Sequence, residues 1–247
     1  MKIDAQGWLV AEAGDPRVVK LPGARGRTSP MDGGAPAGVV WHWTAGPCRN
    51  PRTAEFLAQE ISTFDRAKDR PASWHILIGK DGVIWQSYEF SIGTWHVGRP
   101  GRIGPPPERV DGRWTAASTG SRLVANVNRA TVGVELENAG ELTKVGEEFY
   151  CWPVYVDPAH QDSGPDPKWR IPASRAVSVG PKWFDGYTDA QRASALALLK
   201  ALAIKYKWAR DVSWYGHTMF DWPRKSDPGP LWLDQAMPEI LVQVFGA

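Results

Sequence analysis

No run of the sequence approaches the roughly 20 consecutive apolar residues that a membrane-spanning helix needs. The opening MKIDAQGWLVAEAGDP has one early Lys but lacks the apolar core of a signal peptide. Insertion into a membrane is therefore not expected, and the chain is expected to be made in the cytoplasm without a signal peptide. Cysteine is scarce. Cys48 and Cys151 are too few for a disulfide framework and too far apart for a short-spaced metal motif, so they read as two isolated buried thiols. Charge of one sign is missing as well: 29 Lys and Arg balance 27 Asp and Glu to a net +2, with no long like-charge run. That balance argues against a nucleic-acid partner, which needs a basic track along its phosphates, and favours a compact substrate.

Tryptophan and proline are abundant, at 14 and 21 residues in a chain of 247. Most of the indoles are read as core mass and loop anchors. The length suits one α/β domain over residues 1–247, with an N-terminal arm over about 1–36 and long loop insertions at about 98–130 and 152–182. The arm, rich in Gly, Pro, Arg and Lys, is expected to wrap the surface. The run AGVVWHW, Ala37 to Trp43, is β-branched and aromatic and predicts a buried strand with His42 near its C-terminal end. Asn50 and Pro51 open a predicted helix whose Leu57, Ile61 and Phe64 form one stripe and which Pro71 ends.

SWHILIGKDGVIWQSYEF predicts a hairpin about Asp81-Gly82, with His75 on its first strand and His96 following. TVGVELENAG predicts a strand carrying Glu135 and Glu137 on one face. Residues 141–187 show little periodicity and read as an irregular elaboration. Thr188 and Gln191 form a capping box for a helix on which Leu196, Leu199, Ala203 and Tyr206 share a face, and a closing helix restarts at Pro238. This alternation predicts a three-layer α/β sandwich, a central mixed β-sheet flanked by helices.

The chemistry concentrates in YGHTMFDWPRKSDPGP, Tyr215 to Pro230, where prolines and a glycine forbid a continuous helix and His217, Lys225 and Asp227 stand close together. With His42 they make two imidazoles and a carboxylate, a donor set that suits Zn²⁺ with one position left open. Singly, each His is more often a hydrogen-bonded core or surface residue, and Asp before Pro-Gly is an ordinary turn residue.

Taken in order, VVWHWTAG, SWHILIGKDG, TWHVG, TVGVELEN and GHTMFDWPRKSDPGP resemble the type 2 N-acetylmuramoyl-L-alanine amidases, zinc hydrolases that share their fold with peptidoglycan recognition proteins. The resemblance runs from about Ala37 to the C-terminal helix and leaves the two insertions uncovered. It implies that His42, His217 and Asp227 bind Zn²⁺, that Lys225 stabilises the oxyanion, and that Glu135 transfers protons. Related phage enzymes without that Glu use a Tyr immediately before the hairpin His. Trp74 stands there and cannot carry a proton, which leaves the step to Glu135, with Glu137 as the neighbouring alternative. His75, His96, Trp74 and Trp95 are expected beside the metal or the substrate, outside the ligand set, while Arg224 is expected to face water. Peptidoglycan or muropeptides are the implied partners. The implied activity is cleavage between N-acetylmuramic acid and L-alanine by a lytic enzyme, such as a phage endolysin reaching the wall through a holin lesion. A cytoplasmic amidase recycling anhydro-muropeptides and a non-catalytic peptidoglycan-binding module are the alternatives.

Overall fold

The computed structural model describes residues 1–23, 28–45, 54–55, 57–58, 72–104, 106–115, 119–151, 169–209, 213–222 and 224–246. A six-stranded sheet lies at its centre, built from β1 (Val18–Lys20), β2 (Gly38–Trp43), β3 (Ile76–Ile78), β4 (Ile84–Gln86), β5 (Val132–Leu136) and β11 (Ser213–Gly216). The spatial order is β11-β2-β5-β3-β4-β1. Neighbours run parallel except β3 and β4, the two arms of the hairpin about Asp81-Gly82, so the sheet is mixed as expected.

Strand alternation divides the side chains between two faces. Val39, Trp41, Ile76, Ile78, Val132, Val134, Leu136 and Trp214 enter one core with Leu198, Leu199 and Leu202 of helix α1 (Asp189–Tyr206) and Ile240 of helix α2 (Met237–Phe245). On the opposite face Leu77 meets Ala54 and Ala58, two helical residues of the segment predicted to be a helix. Asn50, Pro51, Ile61, Phe64 and Pro71 of that segment lie outside the described residues. Helical structure therefore covers both faces, giving the three layers.

α1 starts at the predicted capping box: Gln191 N donates to Thr188 Oγ1 at 3.1 Å, and Thr188 N donates to Gln191 Oε1 at 3.2 Å. Its buried face centres on Ala195, Leu198 and Leu202, while Leu196 and Tyr206 of the predicted stripe are only half-buried. The run SALALLKALA is apolar round most of the helix, so periodicity alone places the stripe poorly. α2 follows a π-helical turn at Leu231–Ala236, with Pro238 in its first turn.

Two stretches depart from the sequence expectation. The N-terminal residues do more than wrap the surface: β1 covers the open edge of β4, and Ile3 and Leu9 join the main core. An uncovered strand edge leaves backbone groups unpaired, and Val18-Val19-Lys20 satisfies them. Residues 141–187, expected to be irregular, carry a second sheet: β6 (Glu141–Val145), β7 (Glu148–Cys151), β8 (Arg170–Ile171), β9 (Ala176–Val179) and β10 (Lys182–Asp185). It is antiparallel, in the order β8-β7-β6-β10-β9, over a cluster that includes Leu142, Phe149, Cys151 and Ile171. These strands are short and their burial does not alternate regularly, with Phe149, Tyr150 and Cys151 buried in succession, so their apolar alternation is weak. Residues 152–168 and Cys48 lie outside the described residues. The 98–130 stretch also holds two short ladders, Gly101–Ile103 with Arg122–Val124 and Glu108–Val110 with Arg113–Thr115.

The two sheets are joined through Asp185, whose carboxylate is fully buried. It accepts from Ala139 N at 2.9 Å and Arg175 Nε at 2.8 Å, and Lys80 Nζ lies 3.1 Å away. Asn138 Nδ2 donates to its backbone carbonyl at 2.8 Å. A buried carboxylate held by two cations and a backbone N–H is costly to break from one side.

The main core gives a direct test of this packing. Leu198→Ala, at a fully buried position, is expected to cost about 2–5 kcal/mol in chemical denaturation, whereas Ile204→Ala on the exposed face of α1 should change stability by no more than about 0.5 kcal/mol.

Candidate metal centre

His42 and Glu135 are direct cross-strand partners on β2 and β5, and the register places Leu77 of β3 on the other side of Glu135. β11 runs parallel to β2 and ends at Gly216, so that His217 begins the short 3₁₀ turn His217–Met219 beside the C-terminal end of β2. The chain then loops back: Lys225 N donates to Asp221 O at 2.9 Å and Thr218 N donates to Asp227 O at 3.0 Å, bringing Asp227 against His217.

Three ligand-type atoms converge there. His42 Nδ1 lies 3.1 Å from His217 Nδ1 and 3.0 Å from Asp227 Oδ2, and His217 Nδ1 is 3.2 Å from the same oxygen. All three side chains are buried. In a tetrahedral site with bonds of about 2.0–2.1 Å, ligand atoms stand about 3.3 Å apart, so this triangle matches one face of such a site.

Protons alone account poorly for the cluster. Thr131 Oγ1 donates to Val127 O at 2.9 Å and so accepts from His96 Nε2, 3.5 Å away. That assignment leaves His96 Nδ1 as the acceptor for His42 Nε2 at 3.2 Å. His42 then carries its proton on Nε2 and turns a lone pair from Nδ1 toward both Asp227 and His217. A carboxylate oxygen and an imidazole lone pair facing each other at 3.0 Å repel unless a cation lies between them, and the donor set therefore fits a metal ion.

The electrostatics agree. Burial is the main reason that the pKa of His42 falls to about 4, so its ring is neutral at pH 7. Burial pushes Asp227 upward, but the adjoining rings of His217 and His42 prevail and hold its carboxyl below the usual range. Glu135 is raised well above the usual carboxylate range, chiefly by burial and then by the charge of Asp227, with Lys225 opposing the shift. Its Oε2 is buried with no hydrogen-bond partner among the described residues. Lys225 is half-buried on the ligand-bearing loop.

The other expected residues divide. His96 touches His42, as described. Its ring lies over Gly133, where a Cβ would come within 2.6 Å of it, and Asn128 Oδ1 fixes its loop by accepting from the N–H groups of His96, Val97 and Gly98 at 3.0, 2.7 and 3.2 Å. His75 stands away from the metal donors: Nε2 donates to Ile92 O at 2.6 Å, while Gly133 N at 3.0 Å and Thr94 Oγ1 at 3.1 Å meet Nδ1. Both its nitrogens are used in joining the 92–94 loop to β5. Trp74 packs with the Leu77 cluster, and Trp95 is exposed. Glu137 has left the strand and accepts from Lys80 N at 2.8 Å, which occupies it at the hairpin turn and separates its role from that of Glu135.

Arg224 does more than face water, because its guanidinium pairs with the buried carboxylate of Asp221, which also holds Arg99 at 3.2 Å. Asp221 and Asn128 carry no distinguishing signal in the sequence. Each lies in an ordinary turn-forming context, and only the folded arrangement shows what its side chain holds.

If His96 fixes the tautomer of His42, His96→Phe should weaken Zn²⁺ binding roughly 10–100-fold in a chelator competition, and His96→Gln, which restores an acceptor, should recover part of the loss. Equal affinity for wild type and His96→Phe would disprove the relay.

A model of the Amidase_2 family, described as N-acetylmuramoyl-L-alanine amidase, matches residues 32–230. Curated proteins yield no sequence match. Among solved structures, a selenomethionine derivative of AmpD is similar at 21% identity over 97% of this chain and 99% of its own, with a TM-score of 0.48. The catalytic domain of XlyA is 16% identical over 92% and 99% of the two chains, also with a TM-score of 0.48. AmiD from E. coli, solved with the substrate anhydro-N-acetylmuramic acid-L-Ala-D-gamma-Glu-L-Lys, is 20% identical over 99% of this chain and 66% of its own, with a TM-score of 0.48. With the family model spanning most of the sequence, the chain belongs to the Amidase_2 family of N-acetylmuramoyl-L-alanine amidases.

Proposed function

We propose that the protein is a zinc-dependent hydrolase of the amide bond between N-acetylmuramic acid and the L-alanine of the peptidoglycan stem peptide, acting as a lytic enzyme on the wall polymer. The observation that carries this reading is the convergence of His42 Nδ1, His217 Nδ1 and Asp227 Oδ2 beside Glu135, in a chain of this family. His42, His217 and Asp227 would hold Zn²⁺, which supplies Lewis acidity toward the amide carbonyl and lowers the pKa of water.

The chain's own residues supply the remaining chemistry. Glu135, next to His42 across the strands, takes the proton of the attacking water as general base and returns it to the amine of L-alanine as that group leaves. A raised pKa makes Glu135 a stronger base toward the attacking water, and the carboxyl so protonated is the acid available to the leaving amine. Lys225, whose charge acts on both Glu135 and His42, stabilises the negative charge that builds on the amide oxygen. Arg99 and Arg224, gathered by Asp221 beside the ligand loop, supply positive charge for the carboxylates of a stem peptide.

A polymeric substrate is supported by an open groove of about 780 Å³. It reaches Thr218 and Ser226, the sequence neighbours of His217 and Asp227, and is lined in part by Trp114, Phe184 and the exposed Trp222. Indole faces at a groove suit sugar rings as well as apolar side chains.

Turnover and metal content separate the assigned roles. Glu135→Ala is expected to reduce turnover by roughly 10²–10⁴-fold or more with metal content unchanged, while Asp227→Ala loses both. Near wild-type rates in Glu135→Ala would refute the proton-transfer assignment. Full metal content in Asp227→Ala would refute the ligand set.

A further inference from the structure

Trp43 ends β2, one residue beyond His42, and its indole lies between two glycine backbones. A Cβ on Gly229 would stand 2.6 Å from Cζ3 of the ring, and one on Gly140 would stand 2.8 Å from Cε2. Gly229 is the second residue after Asp227 and has a φ of 77°, where a side chain is also strained. The same Asp227–Gly229 turn is held from its other sides: Tyr187 Oη donates to Pro228 O at 2.7 Å, and Leu233 N donates to Gly229 O at 3.1 Å. Gly140 opens the second sheet, and Phe184 of β10 has its ring centroid 6.5 Å from that of Trp43. One rigid ring is thus continuous with the His42 strand through its backbone, packed against Gly229 of the Asp227 turn, and neighboured by Gly140 and Phe184 at the second sheet.

We propose that Trp43 is a positioning residue for the metal centre, a spacer seated between Gly140 and Gly229 that sets the separation of His42 from Asp227. The proposal rests on the metal reading above and adds a function for the second sheet, which serves as the wall against which the spacer bears. Packed interiors transmit such displacements because they have few voids to absorb them. Replacing the indole with a smaller, flexible group lets the 227–229 turn move toward β2. The ligand triangle then loses its dimensions while all three ligands stay in the chain.

The test uses the full chain loaded with Co²⁺, whose absorption bands report ligand geometry, together with Zn²⁺ affinity measured by chelator competition. Trp43→Leu is expected to shift or weaken the Co²⁺ bands and to reduce Zn²⁺ affinity roughly 10–100-fold, the range seen when groups supporting metal ligands are removed. Trp43→Phe, which keeps a flat ring in the slot, should recover most of both. Phe149→Leu removes a buried aromatic from the second sheet's own cluster, to which Trp43 does not belong, and it should lower stability with the spectrum and affinity unchanged. Should Trp43→Leu not fold, Gly229→Ala probes the same contact from the other side and is expected to disturb the Co²⁺ bands.

An unchanged spectrum and affinity in Trp43→Leu, or equal changes in Trp43→Leu and Phe149→Leu, would overturn the proposal. If the wild-type chain took up neither Co²⁺ nor Zn²⁺, the metal reading would fall and the spacer role with it. Failure of the spacer role alone would leave wild-type metal binding intact.

Discussion

The parallel pairing of three strands is the constraint on which the candidate site depends. β11 against β2 brings His217 beside the end of the strand that carries His42, and β2 against β5 sets Glu135 directly across from His42. A shift of one residue in either register would turn these side chains into the apolar core and bring tryptophan or valine to the site. That shift is opposed by the apolar residues between them, because Val39, Trp41, Val132, Val134 and Trp214 are committed to the face covered by α1 and α2. Burial of one face therefore sets the geometry of the other.

Electrostatics then selects what the cluster can hold. Four imidazoles and two carboxylates, with Lys225 nearby, gather on that face, and burial drives His42, His75 and His96 toward their neutral forms. The ring of His75 is used up by a backbone carbonyl, a backbone N–H and a threonine hydroxyl, so it joins loop to sheet and adds no free lone pair. The relay from Thr131 through His96 directs a lone pair of His42 toward Asp227, and that arrangement is stable around a cation. Support continues outward: Asn128 holds the loop of His96, and Asp185 ties the second sheet to the end of β5 through Ala139 and Asn138.

Much of this was legible in the sequence where a local rule has a physical cause. Thr188 and Gln191 announce the start of α1 because their side chains satisfy backbone groups that any helix leaves unpaired. The hairpin about Asp81-Gly82 and the strand ending near His42 follow from turn chemistry and from a short β-branched run. The donor set could be assembled because His217, Lys225 and Asp227 share one turn-rich segment and His42 sits at a strand end.

What escaped were features set by long-range contact. Val18-Val19-Lys20 is too short to announce an edge strand. The second sheet is built from short strands whose burial does not alternate regularly. Glu135 and Glu137 are equivalent by strand period, and they separate only because the strand ends at Leu136 and Glu137 turns to Lys80. Trp43 reads as one more core indole until Gly140 and Gly229 are seen on either side of it.

The account is tested most directly by digesting purified peptidoglycan with the zinc-loaded protein and with protein stripped by a chelator, and following the products by mass spectrometry. The prediction is free stem peptides beginning with an L-alanine amine, together with intact glycan strands, from the loaded protein alone. Cleavage within the stem peptide or the glycan, equal cleavage by the stripped protein, or no cleavage at all by zinc-loaded protein would contradict it.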